Sequence, residues 1–170
     1  KKMESKSVVL VMGVCGTGKS TLAEAIAKTT GAYLIEADLY HSEENKAKMH
    51  AGHPLTDADR QGWLQAIREK ISEEGNFVLA CSALKAAYRR MLLEGQGATA
   101  VVFLMGDADV IRQRLEQRKG HFAGPELLSS QLATLEVPTA AEGWKTVVTV
   151  DVELTAEKQL EVAMEALKNL

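Results

Sequence analysis

Short apolar runs alternate with longer amphipathic stretches along the chain. Val8–Met12 is apolar at every position, the pattern of a strand buried on both faces. Tyr33–Ile35, Phe77–Cys81, Ala100–Met105 and Val147–Val150 predict four further short strands. Helical periodicity predicts helices over Lys19–Thr30, Glu44–His50, Asp57–Glu73, Leu84–Leu93, Ala108–Arg118, Pro125–Leu135 and Thr155–Leu167. In Asp57–Glu73 the apolar stripe is Leu64, Ile67 and Ile71. Thr56 stands as its N-cap and Asp59 as the capping-box partner. Apolar strands alternating with helices predict a parallel sheet covered on both faces. Right-handed crossovers then make an α/β fold of three layers, α/β/α, around a five-stranded parallel sheet. Ligands in such sheets sit beyond the carboxyl ends of the strands, so the segments after each strand carry the chemistry.

The chain has 170 residues, a length for one domain spanning 1–170. Lys plus Arg number 20 and Asp plus Glu 23, so the formal net charge is -3. That balance argues against general nucleic-acid binding but leaves room for a local basic pocket. No apolar run approaches the ~18 residues of a membrane span, and no membrane partner is expected. With two cysteines and no leader-like apolar stretch at the start, a cytoplasmic protein is expected.

Gly13-Val14-Cys15-Gly16-Thr17-Gly18-Lys19-Ser20 fits G-x-x-x-x-G-K-[ST], between a predicted strand and a predicted helix. The glycines let backbone N–H groups turn inward around phosphate oxygens, and the helix N-terminus adds partial positive charge. Lys19 is expected at the β and γ phosphates and the Ser20 hydroxyl on Mg²⁺; Thr21 completes the nucleotide-binding set. The chemistry is that of a nucleoside triphosphate, expected to be ATP. Cys15 is either a small tolerated residue or a thiol activated by the helix end and Lys19. Cys81 ends another strand on the same side, so an oxidation-sensitive pair is a further reading.

Asp38 follows the second strand, with His41 three residues on. A carboxylate there orients an attacking hydroxyl, accepts its proton, or holds the metal through water; the alternative is a turn-forming Asp. Arg60 lies one turn before Leu64 on the core-facing stripe, in a first turn whose dipole disfavours a cation. It meets either a bound anion or a local acid such as Asp57. Trp63 either floors a pocket or packs in the core. Lys85 and Arg89 are four apart on a predicted helix, a face for an anion or a solvated basic surface. Arg112, Arg114, Arg118, Lys119 and His121 crowd one segment beside Gly120 and Gly124. Mobile arginines arriving on closure would neutralise phosphate charge and exclude water, which predicts a mobile helical lid over about 112–136.

These blocks together resemble the gluconate kinases (gluconokinases), small P-loop kinases related in fold to adenylate and shikimate kinases. The resemblance rests on Gly13–Ser20, Asp38-Leu39-Tyr40-His41, and Gly52–Leu64 with its Pro-Leu-Thr-Asp-x-Asp-Arg-x-x-Trp-Leu core. It continues through Ala80–Lys85 with Tyr88-Arg89, then Arg114–Phe122, Ser130-Gln131 and Leu135-Glu136-x-Pro138. Departures are Cys15 in the loop, Glu36 where the family often has Asp, and His53 where Glu is common. The resemblance implies transfer of the ATP γ phosphate to the 6-hydroxyl of D-gluconate, with Mg²⁺, commonly in a homodimer. It implies Gly16, Gly18, Lys19 and Ser20 at the phosphates and metal, and Asp38 at the reacting hydroxyl. His41, Arg60, Lys85 and Arg89 become candidates for gluconate, and Arg118, with Arg114 nearby, the lid residues on the nucleotide. A sugar acid suits this set, because its carboxylate fits a bidentate Arg. The competing readings are a kinase of another small acid, such as shikimate, and a nucleotide-binding regulator without transfer chemistry.

Overall fold

The computed structural model describes residues 6–117, 125–168 and 170. Its sheet has five parallel strands: β1 (Ser7–Met12), β2 (Tyr33–Glu36), β3 (Phe77–Ala80), β4 (Ala98–Met105) and β5 (Thr146–Asp151), in the order β2-β3-β1-β4-β5. The helices are α1 (Lys19–Thr30), α2 (Glu43–His50), α3 (Asp57–Glu73), α4 (Ala86–Leu93), α5 (Ala108–Gln117), α6 (Pro125–Thr134) and α7 (Ala156–Leu167). Two 3₁₀ turns, Ala37–Tyr40 and Ala140–Glu142, complete the described elements. The expected three-layer α/β/α fold is the one observed.

β1 lies in the middle of the sheet, pairing Val9 with Val78 of β3 and with Ala100 of β4. Its side chains alternate between the two faces, as the pleat requires. Val9 and Val11 join the core under α1, with Leu22, Ala23 and Ile26. Val8, Leu10 and Met12 join the opposite core under α3 and α4, with Leu64, Ile67, Ile71 and Leu92. Each such side chain removed from water contributes about 1.5–3 kcal/mol, so both helical layers are held to the one sheet. α3 begins at the expected capping box: Thr56 accepts from the Asp59 amide and Asp59 accepts from the Thr56 amide.

α4 departs from expectation, starting at Ala86 and not at Leu84. Ala83 takes a left-handed conformation, φ 44, and Leu84 turns into the core. Helical hydrogen bonding therefore begins two residues late, and Lys85 is the N-cap. β4 begins at Ala98 because Ser7 extends β1 and pairs with it. Among the described residues no helix is long and apolar enough to cross a membrane.

Candidate active site

A cavity opens at the carboxyl ends of β1, β2 and β3. Lys19 and Ser20 line it from the start of α1, Asp38 and His41 from the segment after β2, and Arg60 and Trp63 from α3. Cys15, Gly16, Gly18 and Thr21 belong to the same wall. Strand ends and helix starts converge here because every crossover in a parallel sheet returns to the same edge.

The loop after β1 is built for close approach. Gly16 and Gly18 have φ of 81 and 88, which favour glycine. A Cβ on Gly16 would stand 2.8 Å from Leu115 Cγ, so α5 packs directly against the loop. Thr17 is buried and its hydroxyl donates to the Val14 carbonyl at 2.9 Å. Val14 itself is core, and Gly13 abuts Leu104 of β4; both shape the loop from behind. Lys19 Nζ donates to the same Val14 carbonyl at 3.1 Å. The Cys15 amide donates to Gln131 Oε1 of α6 at 2.6 Å, so α6 reaches the loop. Ser20 Oγ donates to Glu36 Oε2 at 2.8 Å. Among the described residues no cluster of three or more His, Cys, Asp or Glu could hold a metal alone. The donor set suits an ion that takes one hydroxyl plus phosphate oxygens and waters, the habit of Mg²⁺.

On the outer side of the loop, Arg114 lines a depression with Gly16, Thr17, Gly18 and Gln117. Its guanidinium donates to the Val152 carbonyl at 2.9 Å, which ties α5 to the end of β5. The structure thus brings Arg114 to the loop. Arg118, Lys119 and His121 lie outside the described residues.

On the acceptor side, Trp63 reconciles its two readings. It is buried, donates from Nε1 to the Ala37 carbonyl at 2.7 Å, and also walls the cavity. His41 stacks on it with ring centroids 4.2 Å apart and planes 10° from parallel. Burial pushes the His41 imidazole down to about 4; Asp38 opposes this, and Arg60 and Lys46 reinforce it. Arg60 donates to the Tyr88 hydroxyl at 3.2 Å, and its guanidinium lies 5.4 Å from the Tyr88 ring. Tyr88 donates in turn to Asp57, which holds the Asp57 carboxyl below the usual range, with help from Lys85. The local acid therefore reaches Arg60 through Tyr88, and the guanidinium still borders the cavity.

Two expected ligand residues stand elsewhere. Lys85 does not line the cavity; it bonds both oxygens of Asp57, at 3.1 and 3.2 Å. Arg89 is fully buried. Its guanidinium donates to Glu142 Oε1 at 2.9 Å and Oε2 at 2.8 Å, to the Ala83 carbonyl at 2.7 Å and to the Glu136 carbonyl at 2.9 Å. Those bonds use four of the guanidinium's five N–H donors, the arrangement of a structural cross-link. The shared face expected for Lys85 and Arg89 fails because Lys85 precedes the helix. Cys15 and Cys81 form no disulfide and sit in the cores on opposite faces of the sheet. Burial pushes the Cys81 thiol up to about 12, which removes the reactive thiolate at neutral pH. The oxidation-sensitive pair is therefore not formed.

A model described as an AAA domain matches residues 8–138. A protein of Mus musculus named "Probable gluconokinase" is 42% identical over 187 aligned positions, covering 98% of this chain and 100% of that one. The crystal structure of a gluconokinase from Sinorhizobium meliloti superposes with a TM-score of 0.84 at 41% identity, covering 98% and 94% of the two chains. That of a sugar kinase from Janibacter sp. HTCC2649 superposes with a TM-score of 0.85 at 38% identity, covering 98% and 96%.

Proposed function

The chain belongs to the gluconokinase family, and from that membership we propose that it transfers the γ-phosphoryl group of ATP to the 6-hydroxyl of D-gluconate. The observation that carries the reading is one cavity lined by both the phosphate-binding loop and the Asp38–His41–Arg60 group. A nucleotide and an acid acceptor can meet there with the reacting groups in line.

In this mechanism Gly13–Gly18 wrap the β and γ phosphates with their amides, and Lys19 leaves the Val14 carbonyl to neutralise them. Thr21 continues this wall. Ser20 is the residue that would hold Mg²⁺, which when bound spreads the charge of the β and γ oxygens. Glu36 already accepts from Ser20 and would order a water of that ion. Asp38 orients the 6-hydroxyl and takes its proton as the oxygen attacks the γ phosphorus. The bond to the bridging oxygen breaks, and ADP leaves with that electron pair. Arg60 takes the gluconate carboxylate, for which a planar guanidinium is suited. His41 takes a gluconate oxygen beside it. Arg114, near the loop, and Arg118 close over the nucleotide from a lid spanning about 112–136 of the single domain 1–170; Arg118's part rests on the family resemblance. The homodimer and the cytoplasmic setting belong to the same proposal and rest on that resemblance and on the low cysteine content.

Gluconate-dependent ADP release, with phosphate recovered on O6 of the product, tests the reaction. Asp38→Asn tests the assignment of the base: transfer is expected to fall by about 10²–10⁴-fold while Mg-ATP still binds. Turnover near that of the unaltered protein would refute the role given to Asp38.

A further inference from the structure

Asn45, in the first turn of α2, is buried although its side chain is an amide. Its Nδ2 lies 2.8 Å from the backbone carbonyl of Asp59 and 3.3 Å from His41 Nδ1. A backbone carbonyl only accepts, so the atom facing it is the amide NH₂. The same NH₂ then presents its second hydrogen to His41. The imidazole nitrogen facing a donor is the unprotonated one, and the ring proton resides on the other nitrogen. Trp63, stacked on the ring and anchored to the Ala37 carbonyl, keeps the imidazole from turning over.

We propose that Asn45 is a positioning residue that fixes His41 as its neutral Nε2–H tautomer, so that His41 donates a hydrogen bond to an oxygen of the acid substrate. The tautomer stands on the geometry alone; the identity of the substrate rests on the gluconate reading. The groups facing the ring are Asp38 from the 3₁₀ turn, Arg60 from α3 and Lys46 from α2. Burial and the two cations outweigh Asp38, and the ring stays uncharged at neutral pH. Proton acceptance is thereby left to Asp38, and donation to His41. Ser42 supports the arrangement by capping α2: its hydroxyl accepts from the Asn45 backbone N–H at 3.1 Å.

The test is ¹⁵N–¹H correlation spectroscopy of the histidine rings in the full chain, with His41 assigned through His41→Gln. The expected spectrum shows unprotonated Nδ1 and protonated Nε2, unchanged between about pH 8 and pH 5.5. A protonated Nδ1, or titration of the ring near neutrality, would overturn the proposal. In Asn45→Asp the carboxylate accepts only, so the proton moves to Nδ1 and the ring becomes easier to charge. At about pH 8, where the variant's ring is neutral, the KM for gluconate is expected to rise about tenfold, the loss of one hydrogen bond, with the KM for ATP within about twofold. The pH profile of kcat/KM for gluconate is expected to gain an ionisation near neutrality. An unchanged gluconate KM at about pH 8 in a folded Asn45→Asp protein would refute donation to substrate. Should that variant not fold, the spectrum of the unaltered protein still decides the tautomer. The expected spectrum together with no turnover of gluconate would uphold the tautomer and refute the gluconate reading.

Discussion

Replacing Arg89 with Ala separates a structural arginine from a substrate ligand. The fully buried guanidinium makes two bonds to Glu142 and one each to the Ala83 and Glu136 carbonyls. Removing it leaves the Glu142 carboxylate, whose side chain is only 11% exposed, without its cation. Breaking one partner of a buried pair costs about 3–5 kcal/mol. Glu142 keeps the Trp144 indole at 2.9 Å and the Thr139 amide at 3.3 Å, which places the cost toward the lower figure. Against a total stability of about 5–15 kcal/mol, that is a large fraction. At about 3 kcal/mol, and about 2–4 °C per kcal/mol for a chain of this size, the midpoint of thermal unfolding falls by about 6–12 °C. Urea unfolding and thermal scans measure it. Arg89→Met with Glu142→Gln, which removes the stranded charge, is expected to recover part of the loss. An Arg89→Ala protein with an unchanged midpoint and a selectively raised gluconate KM would refute the structural role and return Arg89 to the substrate.

Arg60→Ala is expected to raise the KM for gluconate by about 10- to 100-fold, the worth of a charge-assisted bond, with the KM for ATP within about twofold; equal effects on both would make Arg60 structural. Asp59 gives a pH-dependent signature. Its carboxyl is lowered to about 2, chiefly by the hydrogen bond from Lys48 and then by the Thr56 amide. A depressed folded pKa stabilises above the unfolded value of about 3.9, and that stability is lost as pH falls toward about 2. Asp59→Asn is therefore expected to flatten the fall of the unfolding temperature between about pH 4 and pH 2; parallel curves for the two proteins would refute the capping-box linkage.

Features carried by contiguous residues were legible in the sequence. The loop Gly13–Ser20, the capping box of Thr56 and Asp59, and the sheet of buried strands all follow from local spacing. Arg60 and Trp63 were visible as residues with two possible fates, and the structure gives Trp63 both. What local spacing could not carry is pairing at a distance. Arg89 meets Glu142 from 53 residues away, and no periodicity announces that match. Glu142 itself shows only as the last residue of a short capping box begun by Thr139. Lys85 stands ahead of its helix because Ala83 adopts a left-handed conformation that nothing in an alanine signals. Both cysteines follow strands, yet Cys15 lies in the core on one face of the sheet and Cys81 in the core on the other. Asn45 gave no signal of its own: its importance rests on the Asp59 carbonyl that orients it.

One assay decides whether this cavity joins ATP to a sugar acid. ADP release is followed with Mg-ATP across D-gluconate, other sugar acids, neutral sugars, shikimate and nucleoside monophosphates. A strong signal is expected with D-gluconate and none with neutral sugars, which lack the carboxylate assigned to Arg60. Equal signals from neutral sugars, or silence with D-gluconate while ATP still binds, would contradict the proposed reaction.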